Sequence, residues 1–366
     1  MQPRNRSIPS PSHRNDTKKK SIMMPHFLST DPISFGLVGT YDVSNFGDCI
    51  FPDIYRQELT LRFPNARLSL YSPNPVAADI LSFDTVQALP ATIETARFPD
   101  DILILTGGET LSVGHSSGVY IYPQNTLSAL LRLWLGPTQA AASSSTKFIV
   151  HSVGVAPGQS DAEPVMARLL SSADYVRLRD QVSYKRLGQR FGTAVDPCFK
   201  IRDLQTPEQW DARAARVLPA AIVGRPFLVA QISASYVKED LSQWCDTMAA
   251  MMAATELPVA LLPICHQLSD AELLTIVLTQ FQARLPQLAD RVTLIPGRLT
   301  VLDTAAVFAV SSGFLGPRST PPLPLCPLQS QWQSSPNRWT ANMPRRSPMR
   351  DRGDGDRPDC RPAPLF

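Results

Sequence analysis

The chain has 366 residues, of which 43% are hydrophobic and only 18% are charged, so it can bury a core large enough for two domains. The formal net charge of +3 is small, and much of the excess lies in two end segments, so we expect no nucleic-acid-binding core. Six scattered cysteines show no CxxC motif and no metal-ligand spacing. We therefore expect no metal site, no disulfide framework and a cytoplasmic protein with reduced thiols.

Residues 1–30 are polar and rich in Ser, Pro, Arg and Lys, a composition that predicts a disordered extension. They lack the apolar segment of a signal peptide, and the chain has no run of about 20 apolar residues that would span a membrane. The basic triplet at residues 18–20 has an alternative interpretation, an address for the nucleus or for a membrane surface.

From residue 33 short apolar runs alternate with amphipathic segments, a pattern that predicts an α/β lobe with a parallel sheet over residues 31–203. The predicted strands cover residues 33–39, 66–71, 101–105, 147–150 and 175–178, with helices at 49–63, 124–135 and 161–172. The alanine- and serine-rich run at residues 140–145 is predicted as a loop.

Glycines and polar side chains follow four of these five strands. The candidates are Asn45, Gly47 and Asp48 after the first strand, Gly107 and Gly108 after the third, Gly154 after the fourth, and Arg179 and Ser183 after the fifth. Since ligands of open α/β sheets bind at strand carboxyl ends, we expect these loops to form one anion-binding site. Arg179 suits a phosphate or a carboxylate. The alternatives are a helix cap formed by Asp48 and a surface pair of Arg179 with Asp180.

A linker rich in Arg and Ala, residues 204–219, precedes a second lobe at residues 220–316. Its predicted strands cover residues 227–232, 258–262 and 292–295, and its helices cover 241–254, 270–285 and 300–308. His266 follows the second of these strands, and Asp270 opens the next helix. Both residues suit anion binding or proton transfer, although a single His is also common as polar surface.

Six segments in order resemble the polysaccharide pyruvyl transferase family. They are NFGD (45–48), GGETL (107–111), SVGV (152–155), RLRDQVSYKRLG (177–188), DP (196–197) and LPICHQLSD (262–270). The resemblance covers about residues 33 to 316. It implies two Rossmann-like lobes similar to GT-B glycosyltransferases, and transfer of pyruvate from phosphoenolpyruvate to a sugar of a polysaccharide or glycan precursor, which forms a ketal.

The resemblance also implies that Arg179 binds the donor and that His266 and Asp270 line the cleft from the second lobe. Phosphoenolpyruvate is then a donor substrate, and the reaction needs no cofactor and no metal. Ketal formation requires an acid and a base, for which Asp48, His266 and Asp270 are the candidates. The sequence leaves open which residue has which role.

The chain departs from the family pattern after Gly316. Family members continue with a Leu-His segment, an alanine-rich helix and a closing strand, whereas this chain reads PRSTPP and stays proline-rich over residues 317–366. We therefore expect an incomplete second lobe and a disordered tail, and hypothesise a frameshift or mispredicted splice, with a natural low-complexity tail as the alternative. Two other functions stay open: a truncated relative that only binds a sugar or anion, and a GT-B glycosyltransferase that uses a nucleotide-sugar.

Overall fold

The computed structural model describes residues 32–77, 81–83, 85–113, 122, 126–158, 160–232 and 241–316. The described residues from Ile33 onward belong to one compact unit. The extensions predicted at residues 1–30 and 317–366 lie outside the described residues.

Eight strands form the first sheet, in an order that differs from their order in the chain. They are β1 (Ser34–Val38), β2 (Arg67–Ser72), β3 (Val76–Ala77), β4 (Thr85–Ala88), β5 (Ile102–Thr106), β6 (Lys147–Val153), β7 (Tyr175–Leu178) and β8 (Gly192–Thr193). The spatial order is β3-β4-β2-β1-β5-β6-β7-β8, and only the pair of β3 with β4 is antiparallel. The predicted parallel sheet is confirmed. The short strands β3 and β4 carry no apolar run that predicts them.

Helices cover both faces of this sheet. They are α1 (Phe46–Cys49), α2 (Phe51–Arg62), α3 (Thr126–Ser143), α4 (Glu163–Leu170) and α5 (Gln181–Arg186). In the central strand β5, Leu103 and Leu105 belong to the core layer that contains Trp134 of α3. Ile104 belongs to the opposite layer, which contains Tyr55 of α2. Burial on both faces explains why the strand reads as a continuous apolar run.

Helix α3 extends further than predicted. The run at residues 140–145, predicted as a loop, is helical as far as Ser143, which makes that prediction wrong. Alanine has the highest helix propensity, and Ala140 is 1% exposed in the core layer that contains Trp134. Next to the internal Pro137, the Thr138 hydroxyl donates to the Trp134 carbonyl at 2.6 Å. Packing against a buried layer therefore outweighs the loop preference of the flanking serines.

A second, smaller α/β lobe follows. Its strands are β9 (Leu228–Ala230), β10 (Val259–Leu261), β11 (Val292–Leu294) and β12 (Gly313–Leu315), and its helices are α7 (Leu241–Thr255), α8 (Asp270–Arg284) and α9 (Val301–Val310). The four strands are parallel, in the order β11-β10-β9-β12. The predicted fold of two α/β lobes is confirmed. Among the described strands, β12 lies at the edge of this sheet.

The segment predicted as a linker contains helix α6 (Pro207–Val217), which precedes the second lobe in the chain. A capping box starts this helix. The Gln209 N–H donates to the Thr206 hydroxyl at 3.3 Å, and the Thr206 N–H donates to the Gln209 side-chain oxygen at 2.9 Å. Two of the otherwise unpaired N–H groups at the helix start are thereby satisfied.

Helix α6 packs against both lobes. Trp210 is buried in the apolar layer that also contains Tyr55 of α2 and Val301 of α9. The guanidinium of Arg213 forms an ion pair with Asp303 of α9 at 2.7 Å. The connection between the lobes is therefore a packed structural element.

Candidate functional site

The strand order brings four loops side by side. Strands β1, β5, β6 and β7 are parallel neighbours, so their carboxyl ends meet at one edge of the sheet. The loop backbones are also joined, since the Gly154 N–H donates to the Gly108 carbonyl at 2.9 Å. The Arg179 N–H donates to the Val153 carbonyl at 3.1 Å. The expected gathering of these loops is confirmed.

The loop after β1 positions Asp48 through Asn45. The Asn45 side-chain oxygen accepts a hydrogen bond from the Gly47 N–H at 3.3 Å and so caps α1. The Asn45 side-chain nitrogen donates to Asp48 Oδ2 at 2.8 Å. Gly47 has room for a side chain, because an added Cβ would approach only Asn45, at 3.7 Å. The Asn45 contacts therefore fix the orientation of the Asp48 carboxylate.

The glycine turn after β5 closes over Asp48. An added Cβ at Gly108 would lie 2.8 Å from Asp48 Oδ1, and one at Gly107 would overlap the Phe51 ring. Both glycines have positive φ, +56° and +72° respectively, a conformation that other residues rarely adopt. Glycine is thus required at both positions for the turn to contact the loop after β1.

Asp48 is half-buried, and this loss of hydration raises the pKa of its carboxyl above the ordinary value. Hydrogen bonds from Asn45 and Thr40, together with the charge of Arg179, oppose the shift without cancelling it. Asp48 consequently keeps its proton to a higher pH than an exposed aspartate does.

Arg179 extends over Gly154 at the end of β7. An added Cβ at Gly154 would lie 3.0 Å from Arg179 Nη2 and 3.3 Å from Glu109 Cγ, so both side chains cover this glycine. The guanidinium lies 3.5 Å from the Glu109 carboxylate and 3.6 Å from that of Asp180. These ion pairs are long and partly exposed, and such pairs contribute little stability. The guanidinium can therefore exchange them for a ligand anion.

Ser183 has a structural position. Its side chain is 2% exposed, and its hydroxyl accepts a hydrogen bond from the Val155 N–H at 2.9 Å. Asp180 caps α5 by accepting from the Ser183 N–H at 2.7 Å. The structure thus uses Ser183 to hold the loop after β6 rather than to present a hydroxyl to a ligand.

A loop of the second lobe contacts the loop after β1. Asn45 and Cys265 form an antiparallel β-bridge, flanked by hydrogen bonds from the Phe46 N–H to the Ile264 carbonyl at 2.8 Å and from the His266 N–H to the Ser44 carbonyl at 2.9 Å. A narrow cleft, with a volume of about 10 Å³, lies at this contact. Its lining includes Ser44, Phe46, Pro263, Ile264, His266, Leu299, Val301 and Thr304. Backbone pairing therefore brings the His266 loop beside the Asp48 loop.

His266 is half-buried at this cleft. Burial lowers the pKa of its imidazole below the ordinary value, and the nearby charge of Arg298 lowers it further. The carboxylates of Asp270 and Glu272 act in the opposite direction but do not cancel the shift. At neutral pH the imidazole is therefore uncharged and able to accept a proton.

Asp270 lies behind the cleft wall and is fully buried. Its Oδ2 accepts hydrogen bonds from the Cys265 N–H at 2.9 Å and from the Gln231 side chain at 3.2 Å. It was expected to line the cleft with His266. The structure instead places it as a positioning residue that holds the loop carrying His266.

Arg298 and Ser44 were missed by the sequence analysis. Arg298 Nη2 and Nε donate to the Ser44 hydroxyl at 2.8 and 3.1 Å, so an exposed arginine of the second lobe contacts the first lobe beside the cleft. Arg298 follows β11, after Gly297 with a φ of +78°. The rule that ligands meet strand carboxyl ends, applied to this strand of the second lobe, predicts such a residue.

Within the described ranges, no group of three or more His, Cys, Asp or Glu side chains is placed to hold a metal ion. The same part of the chain contains no helix with both the length and the apolar character needed to cross a bilayer. The cysteines among the described residues form no disulfide bond with one another.

A comparison with protein families supports the resemblance, because the match covers all six segments that carry it. The model of the family described as polysaccharide pyruvyl transferase matches residues 45–316. No curated protein matches the chain. Among solved structures, the UDP-GlcNAc 2-epimerase of Methanocaldococcus jannaschii is similar, with a TM-score of 0.44 and 10% identity over 78% of each chain.

Proposed function

The chain belongs to the polysaccharide pyruvyl transferase family, and we propose that it transfers the pyruvate unit of phosphoenolpyruvate to a sugar of a glycan precursor. The observation that most supports this donor is the placement of two arginines, Arg179 and Arg298, at the ends of strands in different lobes. Phosphoenolpyruvate carries a phosphate and a carboxylate, and guanidinium groups bind both through charge-assisted hydrogen bonds. In this proposal, the arginine of each lobe binds one of the two anionic groups.

The proposed reaction starts when a proton adds to the methylene carbon of phosphoenolpyruvate, which makes C2 electrophilic. A sugar hydroxyl oxygen forms a bond to C2 and releases its proton to a base. The bond from C2 to the phosphate oxygen then breaks, phosphate leaves, and a second hydroxyl closes the ketal. The two hydroxyl protons balance the proton gained by carbon and the proton carried away by phosphate.

Asp48 and His266 suit the acid and the base of this reaction. The raised pKa of Asp48 lets it hold a proton for transfer to carbon. The lowered pKa of His266 keeps its imidazole neutral, so that it can take the hydroxyl proton. The Asn45–Cys265 bridge makes the loops that carry them neighbours. Each such group typically accelerates a reaction by about 10²–10⁴-fold.

Calorimetric titration of the full chain with phosphoenolpyruvate tests the donor. We expect saturable binding that Arg179→Ala weakens roughly tenfold or more, because a charge-assisted contact is lost. Arg216→Ala is the matched control, because Arg216 is an exposed arginine of α6. Saturable binding of a nucleotide-sugar such as UDP-glucose, with none of phosphoenolpyruvate, would contradict the proposal and favour a glycosyltransferase.

Turnover distinguishes an enzyme from a relative that only binds. Phosphate release from phosphoenolpyruvate in the presence of acceptor glycans is the expected result. Donor binding without phosphate release from any acceptor would identify a binding protein.

The frameshift hypothesis has its own test. The family match ends at residue 316. Sequencing the transcript across Gly316 and Pro317 supports the hypothesis if another frame encodes a Leu-His pair followed by an alanine-rich helix. An unchanged proline-rich reading contradicts it.

A further inference from the structure

A second cavity lies at the amino ends of β7 and β8, away from the cleft. Its volume is about 320 Å³, and the residues that give it its chemistry are Asp174, Tyr175, Arg177 and Arg190. Ligand pockets typically start at about 300 Å³. The cavity is therefore large enough for a small ligand.

Arg177 is held in place across the edge of the sheet. Its guanidinium carbon lies 4.9 Å from the centre of the Tyr175 ring, a cation–π contact. An added Cβ at Gly192 of β8 would lie 2.7 Å from the same guanidinium, so only glycine leaves room for it. Sequence and geometry together thus provide a prepositioned guanidinium beside an aromatic ring.

The cavity has excess positive charge. Arg190 is exposed and forms no ion pair with any described residue. Asp174, the acidic group of the lining, is already engaged, because it accepts from the Phe148 N–H at 2.9 Å and pairs with Lys147 at 3.0 Å. Two arginine charges therefore remain for an anionic ligand.

Tyr175 adds an apolar surface to this charge. Its side chain is 38% exposed, so part of the ring is open to solvent at the cavity. Aromatic rings combine an apolar face with a polar tip and commonly pack against the apolar face of a sugar ring. If the sugar carries a carboxylate, the two guanidinium groups can bind it through charge-assisted hydrogen bonds.

Strand β7 begins at this cavity and ends next to Arg179. Side chains two residues apart in a strand share a face, so Tyr175 and Arg177 lie on the same face of β7, and Arg179 follows directly after the end of the strand. Four steps of roughly 3.3 Å separate Tyr175 from Arg179, about 13 Å in all. An extended polymer of acidic sugars matches this distance better than a compact anion does.

From this geometry we propose that the cavity around Tyr175, Arg177 and Arg190 binds acidic sugar residues of a glycan chain. That the ligand is a glycan rests on the proposed function, whereas the charge and shape of the cavity do not. Strand β7 then guides the acceptor chain toward Arg179.

Titration of the full chain with an oligogalacturonate tests this site, with maltohexaose as the neutral sugar, inorganic phosphate as the free anion and a DNA duplex as the polyanion. We expect the oligogalacturonate to bind and maltohexaose not to bind. Arg190→Gln should weaken oligogalacturonate binding roughly tenfold, because one charge-assisted contact is lost. Arg216→Gln, the matched exposed arginine on α6, should leave it unchanged.

A second pair of variants separates the ring from the charge. Tyr175→Phe retains the aromatic face and should bind like the wild type, whereas Tyr175→Ala should weaken binding severalfold. Equal binding of oligogalacturonate by wild type and Arg190→Gln would overturn the proposal. It would also be overturned if phosphate or DNA bound with the same affinity and the same dependence on Arg190, which would mark a general anion site or a nucleic-acid site.

Phosphoenolpyruvate titrations of the same variants keep the two proposals distinguishable. Arg190→Gln should leave donor binding unchanged, because Arg190 lies at the amino ends of the strands and the donor site lies at the carboxyl ends. Loss of donor binding in the wild type with oligogalacturonate binding intact would overturn the proposed function alone.

Discussion

Two loops, one in each lobe, meet at the cleft, and each contains an aspartate close to a helix start. Asp48 is half-buried, receives a side-chain hydrogen bond from Asn45 at 2.8 Å and lies under Gly108. Asp270 is fully buried and accepts from the backbone N–H of Cys265 at 2.9 Å. The first carboxylate is held by side chains of its own loop, whereas the second stabilises the loop that carries His266.

The comparison shows that the residue type and its place before a helix do not decide between chemistry and structure. What decides is the set of partners: Asp270 Oδ2 accepts hydrogen bonds from the Cys265 N–H and from the Gln231 side chain, so this carboxylate holds the loop that carries His266. Asp48 instead accepts hydrogen bonds from the side chains of Asn45 and Thr40, and burial raises the pKa of its carboxyl, so it keeps a proton that it can transfer.

Asp48→Asn should have the largest effect on turnover. We expect phosphate release from phosphoenolpyruvate to fall by about 10²–10⁴-fold, because asparagine cannot supply a proton. Since Asn45 can still donate to the new amide oxygen, the free energy of unfolding should change little. Asp211→Asn, an exposed aspartate of α6, is the control. Undiminished turnover in Asp48→Asn would remove Asp48 from the chemistry.

Asp270→Ala should have the largest effect on stability. It leaves the Cys265 N–H buried without its acceptor, so we expect the free energy of unfolding in urea to fall by about 3 kcal/mol. Asp211→Ala provides the matched exposed change. If Asp270→Ala unfolded like the wild type but lost turnover, the assignment of the two aspartates would be reversed.

Arg298→Gln should weaken phosphoenolpyruvate binding roughly tenfold, about 1.4 kcal/mol, because one of the two proposed anion contacts is lost. Glutamine retains hydrogen-bonding capacity toward Ser44, so the contact between the lobes is not simply deleted. Calorimetric titration measures the affinity, and Arg216→Gln controls for loss of an exposed charge. An unchanged affinity would place Arg298 outside the donor site.

The pH dependence of kcat/KM should show a smaller effect that is specific to His266. Because His266 must be neutral to accept a proton, kcat/KM should fall as pH decreases through its pKa. Removing the charge of Arg298 should raise the pKa of His266, since that charge lowers it, and the acidic limb of the profile should move to higher pH. A limb that does not move in Arg298→Gln would assign it to another group.

The lowered pKa of His266 also affects the free energy of unfolding. A histidine whose pKa is lowered on folding binds fewer protons in the native state than in the unfolded state. Its contribution therefore destabilises the fold as pH decreases below about 6.5, the ordinary pKa of histidine.

Much of the fold was predictable because both sheets consist of apolar runs separated by helices. The gathering of the loops with Asp48, Gly108, Gly154 and Arg179 followed from the parallel strand order alone. The short strands β3 and β4 were not predictable, because they carry no apolar run. The end of helix α3 was not predictable either, because tertiary packing continues the helix through a serine- and alanine-rich stretch.

The site was less predictable than the fold, because side-chain partners depend on contacts between distant segments. Ser183 has a hydroxyl in a family-like segment, yet it is bonded to the Val155 backbone, 28 residues away in the chain. Arg298 has no motif around it, and its hydrogen bonds with Ser44, 254 residues away in the chain, hold it beside the cleft. The spacing of residues along the chain predicts neither contact.

The helix between the lobes has a consequence for how the chain unfolds. Trp210 of that helix shares one apolar layer with Tyr55 of the first lobe and Val301 of the second. Neither lobe can expose its part of this layer without exposing the others. Calorimetry should therefore record one cooperative melting transition for both lobes, and either lobe produced alone would carry an uncovered apolar face that favours aggregation.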